Sequence, residues 1–224
     1  MLEPSAADLQ KLYRARFGEE LRRAKAAVWR VLVREFFQKW VLPDFTVLDL
    51  GCGDGEFIAN IACQRRIAVD MNPDVRQWLD PAVEFHQGSV CELPFLGDAT
   101  VDLIFTSNVM EHLTDKPQVE TMLRECRRVL KPDGHFVAMG PNLRFLPGDY
   151  WDFWDHHVPI TDRSLKEVLQ QLDFRVEQCI PRFLPYTTCS SLPKSPWLVS
   201  WYLKIPLAWP WFGRQFLIRA QKPA

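Results

Sequence analysis

Three glycines at alternate positions, set directly behind an apolar run, constrain this chain more than any other feature. Phe45-Thr46-Val47-Leu48-Asp49-Leu50 has the pattern of a buried strand, Gly51-Cys52-Gly53-Asp54-Gly55 follows it, and Glu56-Phe57 opens a helical pattern. Glycine lets the backbone bend sharply and lets a ligand approach where a Cβ would intrude. Strand, glycine turn and helix together read as a nucleotide-binding turn. A dinucleotide fingerprint needs its last glycine one place later, where Glu56 stands, so the spacing points to another cofactor. The next strand pattern, Arg66-Ile67-Ala68-Val69-Asp70, ends in a carboxylate nineteen residues past Gly51. A carboxylate there accepts from both hydroxyls of a ribose and repels a 2′-phosphate; the alternative is a helix N-cap before Met71-Asn72-Pro73.

Further segments follow in order. They are Gly88-Ser89-Val90-Cys91-Glu92-Leu93-Pro94-Phe95, then Val101–Thr106 leading into Ser107-Asn108-Val109-Met110-Glu111-His112-Leu113, then Glu125–Gly134 with an apolar strand to Gly140. Pro132 and Gly134 are the residues that stop a helix and turn the chain. From about Phe45 to Asn142 the series resembles the class I S-adenosylmethionine (SAM)-dependent methyltransferases, whose first motif is an acidic residue, any residue, then Gly-x-Gly-x-Gly. The resemblance implies a Rossmann-like α/β sheet of seven strands in the order 3-2-1-4-5-7-6, the last antiparallel. It implies SAM as cofactor, held by Asp49, Gly51, Cys52, Gly53 and Gly55, by Asp70 on the ribose and by Met71 on the adenine face. Ser89 and Val90 fall at the adenine edge, where the family carries an acid in place of Ser89; a hydroxyl accepts more weakly than a carboxylate. Asn108 and His112 fall where cofactor and acceptor meet. An Asn-Pro-Pro-Tyr element, common in enzymes that methylate amide or adenine nitrogens, is missing from that segment.

At 224 residues one domain with appendages is expected over 1–224, with N-terminal helices over 1–43, the SAM-binding core over 44–142 and substrate-side loops with the C-terminal strands over 143–224. Hydrophobic residues make up 47% and charged residues 25% of the chain, as in a soluble globular domain, and the net charge of -1 with no basic run argues against a nucleic-acid partner. A small-molecule or glycan acceptor fits better. The six cysteines form no Cys-x-x-Cys pair and read as reduced, buried thiols, Cys52 included. Charges from Glu3 through Arg34 interrupt every apolar stretch of signal or membrane-spanning length, so a cytoplasmic protein is expected. Helical spacing of apolar residues from Ala6 to Val41 suggests two amphipathic helices. Tyr13 and Phe17 on the first either fold over the cofactor or pack in the core.

After Asn142 comes Tyr150-Trp151-Asp152-Phe153-Trp154-Asp155-His156-His157-Val158-Pro159, followed by a helix capped by Thr161 or Asp162 and an alternating strand pattern at Asp173–Glu177. Aromatic walls with interspersed acids and imidazoles suit a polar, ring-bearing acceptor, so Asn142, Tyr150, Trp151, Asp152 and Trp154 are candidate substrate contacts. Methyl transfer from a sulfonium is an in-line displacement in which positioning does most of the work. A hydroxyl acceptor must also lose a proton, a task suited to histidine. His156 ranks first, with Asp155 beside it in sequence, and His157 second; the alternative for both is a structural hydrogen bond. An Asp/His run can also hold a divalent ion, but proximity in sequence does not make ligands converge, and no metal is assigned. His86 and His135 carry no functional case. An aromatic-rich insertion over about 181–213 precedes a last strand at Gln215–Ala220. Its Trp197, Trp201, Tyr202, Trp209 and Trp211 can close a pocket, form a homodimer surface, meet a membrane interface, or pack on the sheet. The aromatic run also resembles bacterial methyltransferases associated with polysaccharide or secondary-metabolite biosynthesis. That implies O-methylation of a sugar or other hydroxylated small metabolite, with N-methylation of a small amine and a non-catalytic SAM-fold scaffold as the competing readings.

Overall fold

A computed structural model describes residues 19–186 and 195–224. The strands are β1 (Thr46–Leu50), β2 (Arg65–Asp70), β3 (Glu84–Gln87), β4 (Val101–Ser107), β5 (Leu130–Pro141), β6 (Arg175–Ile180) and β7 (Gln215–Gln221). The helices are α1 (Glu19–Leu32), α2 (Lys116–Val129), α3 (Asp162–Gln171), α4 (Pro196–Lys204) and the short α5 (Trp209–Phe212). The strands form one sheet in the order β3-β2-β1-β4-β5-β7-β6, the order that the family resemblance implies. The first five strands pair in parallel, and β7 runs antiparallel to both β5 and β6.

Parallel strands buried on both faces are made of near-continuous apolar residues, and β1 and β4 meet that description. Side chains alternate across the sheet. Leu48 and Leu50 therefore join one core with Met122, Leu123 and Cys126 of α2 and Leu165 and Leu169 of α3, while Val47 joins a second core with Phe36, Phe37 and Phe57. Asp115 caps α2 by accepting from Gln118 N–H at 2.9 Å, and Thr161 with Ser164 forms a reciprocal capping box on α3. The expected cap of the latter helix is thus in place. Of the two expected N-terminal helices, α1 is the second, continuing into a π turn at Val33–Phe37; the first, with Tyr13 and Phe17, lies outside the described residues, as does Cys189.

Two local details differ from the sequence reading. No regular helix follows the glycine turn: residues 55–61 make a single helical turn, with Ala59 N–H donating to Gly55 O at 2.9 Å. Side chains take over the hydrogen bonds that would extend it, because Asn60 Nδ2 donates to Glu56 O and Ala62 N–H donates to Gln38 Oε1. Nor does a free turn separate α2 from β5. The strand begins at Leu130, opposite Val101, and the next pair is Leu103 with His135, so Lys131–Gly134 bulge out of the ladder. Gly134 is required in that bulge, since a Cβ would stand 2.9 Å from Lys131 O and 3.1 Å from Asp102 O. Among the described residues no helix is long and apolar enough to cross a membrane.

Candidate functional site

The glycine turn leaves the carboxyl end of β1 as a left-handed loop, with Gly51, Gly53 and Gly55 at φ of +73°, +54° and +77°. Any side chain at these positions is strained. A Cβ on Gly51 would lie 2.4 Å from Val109 Cγ2, so the segment after β4 presses directly on the turn, whereas a Cβ on Gly53 would meet nothing within 4 Å. The loop is tied to β2 from both sides. Gly51 and Cys52 N–H donate to Val69 O at 2.9 and 3.0 Å, and Gly53 N–H donates to Asp70 Oδ2 at 2.8 Å. Asp70 Oδ1 accepts from Asn72 N–H at 2.9 Å, so the second strand's carboxylate holds the turn in shape while its remaining lone pairs stay available.

Acid accumulates around this turn. Asp49 is buried, accepts from Ile58 N–H, and has an Oδ2 with no hydrogen-bond partner. Burial pushes its carboxyl well up, and the neighbouring Glu56 and Asp70 push it further. Asp70 is also raised, by burial against the pull of the Asn72 and Gly53 amides, and Cys52 is raised by burial and by Asp49 and Asp70, which keeps it a thiol. Lys25 of α1 offsets part of the charge through an ion pair with Glu56 at 2.9 Å. Asn108, in the left-handed region at φ +55° just past β4, adds a buried Oδ1 without a partner. Orphaned acceptors and raised carboxyl groups around a glycine cradle fit a ligand that brings positive charge and hydrogen-bond donors, as a sulfonium-and-ammonium cofactor with a ribose does. A pyrophosphate would meet repulsion there.

The second half of the site is built where β4 ends. Glu111, His112 and His156 each present one oxygen or nitrogen donor, all within 4.8 Å of one another. Glu111 is buried, its Oε1 has no hydrogen-bond partner, and burial raises its carboxyl against the pull of His112. Its carbonyl accepts from His157 and Val158 N–H at 2.8 and 3.2 Å, which fastens the 150s loop over the segment. His112 Nδ1 lies 2.9 Å from the carbonyl oxygen and 3.2 Å from Oδ2 of Asp155. Burial opposes charge on this ring, but the hydrogen bond to Asp155 and the charges of Glu111 and Asp155 outweigh it, so His112 is raised.

The residues singled out from sequence divide into groups. His156 is buried among rings, its centroid 4.8 Å from Tyr150, 4.9 Å from Phe153 and 5.0 Å from His112. His157 is exposed, and the imidazole set against Asp155 is His112, assigned from sequence to the cofactor. Tyr150 is fully buried; its hydroxyl donates to Val158 O and accepts from Ile160 N–H, so it props the loop from inside. Asn142 is likewise fully buried, donating to Asp162 Oδ1 and Pro181 O and accepting from Arg144 N–H. These two brace the loops and offer no surface to an acceptor. Trp151, Asp152 and Trp154 are exposed. Ser89 Oγ accepts from Cys91 N–H at 3.1 Å, Val90 is buried, and Met71 is half-buried. His86 stacks on Phe95 and pairs with Glu84, and His135 pairs with Glu177, which accounts for both. Glu111 was not singled out from sequence; the signal available was a carboxylate beside a histidine directly after a strand.

Residues 48–138 match the family model of a methyltransferase domain. A relative from Mycolicibacterium smegmatis, named a probable S-adenosylmethionine-dependent methyltransferase, is 34% identical over 145 residues, which covers 61% of this chain and 54% of the relative. The chain thus spans about half the length of that relative. Among solved structures, a SAM-dependent methyltransferase from Archaeoglobus fulgidus superposes with a TM-score of 0.66 at 23% identity, covering 96% of this chain and 99% of the other. Geranyl diphosphate C-methyltransferase from Streptomyces coelicolor superposes at 0.60 and 18% identity, covering 91% and 81%. With the sheet order and the glycine turn of β1, the match over residues 48–138 identifies this region as a class I SAM-dependent methyltransferase domain.

Proposed function

We propose that the chain transfers a methyl group from SAM to a hydroxyl of a small molecule, a sugar unit or other hydroxylated metabolite. The observation that carries the reading is the contact between the two halves of the site. Val109 packs on Gly51, and two and three residues on, Glu111 and His112 converge with His156, so an acidic cofactor cradle and an imidazole cluster share one end of the sheet. SAM supplies the activated methyl group when bound. The chain's own residues bind and position: Asp70 offers lone pairs to the ribose hydroxyls, Asp49 and Asn108 offer acceptors to donors of the cofactor, and Glu111 and the 150s loop close the site.

An acceptor hydroxyl must give up its proton as the new bond forms. His112 is suited to take it, because Asp155 orients its ring through Nδ1 and stabilises the cation that results. His156 stands behind it within the same cluster, and His157 is the exposed alternative. A neutral amine acceptor needs no such base, which separates the N-methylation reading from this one.

The test is a methyl-transfer assay on a panel of hydroxylated and amine acceptors, read by mass, with His112→Gln, His156→Ala and His157→Ala alongside wild type. The reading requires turnover on a hydroxyl acceptor that falls about 100-fold or more in the variant lacking the base. Amine-only turnover, indifferent to all three substitutions, would overturn it in favour of N-methylation. SAM binding without turnover on any acceptor would favour the scaffold reading, and loss of turnover on chelation would recast the three converging donors as metal ligands.

A further inference from the structure

Charge is distributed unevenly along the chain. All 28 acidic residues lie at or before Glu177, and everything after it carries Arg182, Lys194, Lys204, Arg214, Arg219 and Lys222 with no acid at all. The described part of that region contains α4 and α5, and their inward faces are fully employed. Trp209 Nε1 donates to Tyr202 O, Tyr202 O–H donates to Phe183 O, Leu203 is buried, and Arg182 ties Gly213 O and Trp211 O to the body. Core packing therefore accounts for Tyr202, Leu203 and Trp209. It leaves Trp197 65% exposed, Trp201 52%, Leu207 86% and Trp211 77%, with Ile205 and Phe212 beside them.

This outer face is sparsely charged. Trp197 and Trp201 stand one helical turn apart with ring centroids at 5.9 Å, and the only charged side chain from Ser195 to Gly213 is the exposed Lys204. Arg30 and Arg34 of the preceding elements line a cleft of about 390 Å³ together with Pro196, Trp197 and Ser200; Glu35 pairs with Arg34 at 2.7 Å and accepts from Ser200 Oγ, which leaves Arg30, Lys204 and the exposed Arg214 after the segment as the basic excess. Tryptophan rings on an apolar face, rimmed by arginine and lysine, have the composition that settles at the headgroup level of a bilayer. A water-facing surface of a monomer rarely groups so many large apolar side chains.

We propose that this face docks on a membrane surface rich in anionic lipid, with Trp197, Trp201, Leu207, Trp211 and Phe212 entering the interface and Arg30, Lys204 and Arg214 meeting the headgroups. The basic rim is the argument for an anionic bilayer over a second copy of this chain, because two such faces brought together would oppose like charges. Position adds a consequence. Gln215 at the start of β7 pairs with Pro141 at the carboxyl end of β5, so the segment emerges at the same edge of the sheet as the 150s loop, and docking would bring that edge toward the lipid.

The full chain is floated with vesicles of phosphatidylcholine alone and with about 30% phosphatidylglycerol, at low and at high salt. Binding is expected on the anionic vesicles and to weaken with salt. The double substitution Trp197→Ser with Trp211→Ser is expected to lower partitioning at least tenfold, and Lys204→Glu or Arg30→Glu to lower it by about fivefold each. These side chains are exposed, so S-adenosylhomocysteine affinity and the melting temperature serve as controls for a folded site; if the tryptophan variant does not fold, the two charge reversals decide. Failure of wild type to float with either vesicle overturns the proposal, as do folded variants that float unchanged. A wild-type dimer in sedimentation that the tryptophan substitutions dissociate, without vesicle binding, assigns the face to self-association and overturns it as well.

Discussion

Replacing Asp70 separates what this carboxylate does for the protein from what it does for the ligand. In the ligand-free structure Oδ2 holds Gly53 N–H at 2.8 Å and Oδ1 holds Asn72 N–H at 2.9 Å, so Asp70→Ala unties the glycine turn from the tip of β2. Hydrogen bonds to a charged group contribute about 1.5–3 kcal/mol each, but Asp70 is raised, so burial of its charge outweighs what the two bonds return. Loss of the two bonds and relief of the buried charge oppose each other, so a net stability change smaller than one such bond is expected, at about 2–4 °C in Tm per kcal/mol for a chain of this size. Binding should suffer separately. Two ribose hydroxyls lose a charged acceptor, worth about 1–3 kcal/mol, which corresponds to about 5- to 150-fold in Kd. Asp70→Asn keeps one acceptor oxygen and should fall between the two. Calorimetric titration with S-adenosylhomocysteine, run well below each variant's Tm, gives the Kd, and scanning calorimetry without ligand gives the Tm. A folded Asp70→Ala protein with wild-type Kd would remove Asp70 from the cofactor site; a lowered Kd penalty with unchanged Tm would show that the turn keeps its shape without it.

Three further outcomes follow from the same geometry. Because Asp155 and Glu111 hold His112 above the ordinary histidine value, a base at this position loses function as pH falls through that raised pKa, and Asp155→Asn should shift the acid limb of kcat/KM to lower pH while lowering its plateau. An unshifted limb measured on the true acceptor would take the base away from His112. Asp49 is raised on folding, so its contribution to stability is greatest below the ordinary carboxyl pKa and is lost as pH rises through the folded value. Asp49→Asn should therefore gain Tm over wild type increasingly from about pH 4 toward neutrality, while weakening cofactor binding; a constant difference across that range would refute the sign. Tyr150→Phe leaves Val158 C=O and Ile160 N–H without their partner and should cost about 1–3 kcal/mol by chemical denaturation, whereas Trp154→Ala, at 93% exposure, should stay within about 0.5 kcal/mol of wild type.

The first strands were legible because their determinants are local, while the order of the sheet came with the family resemblance. Apolar runs of strand length, a glycine turn and a carboxylate at the next strand's tip fix β1 and β2 without knowledge of anything distant. The acceptor side was less legible because its determinants are contacts between segments far apart in sequence. Asp155 sits next to His156 in the chain, yet its carboxylate is set against His112, more than forty residues away. Tyr150 and Asn142 have the residue types of a binding loop, but a buried hydroxyl or amide must satisfy its hydrogen bonds, and here backbone groups and Asp162 within the chain consume them.

Glu111 likewise owes its place to contacts distant in the chain. A glutamate after a strand reads as a solvated residue, since carboxylates are rarely buried without a partner. In the fold, the carboxyl end of β4 drops into a space bounded by Gly140 and the 150s loop, and Glu111 is carried inside with an unsatisfied oxygen beside two imidazoles. Such a group raises the cost of the folded state unless something supplies a proton, a donor or a cation. The cluster therefore holds an unpartnered carboxylate oxygen outside the cofactor cradle, and the two halves of the site meet through the contact of Val109 with Gly51. An acceptor that brings a hydroxyl to this point offers a donor to the cluster and receives a base from it, which is the combination methyl transfer to oxygen requires.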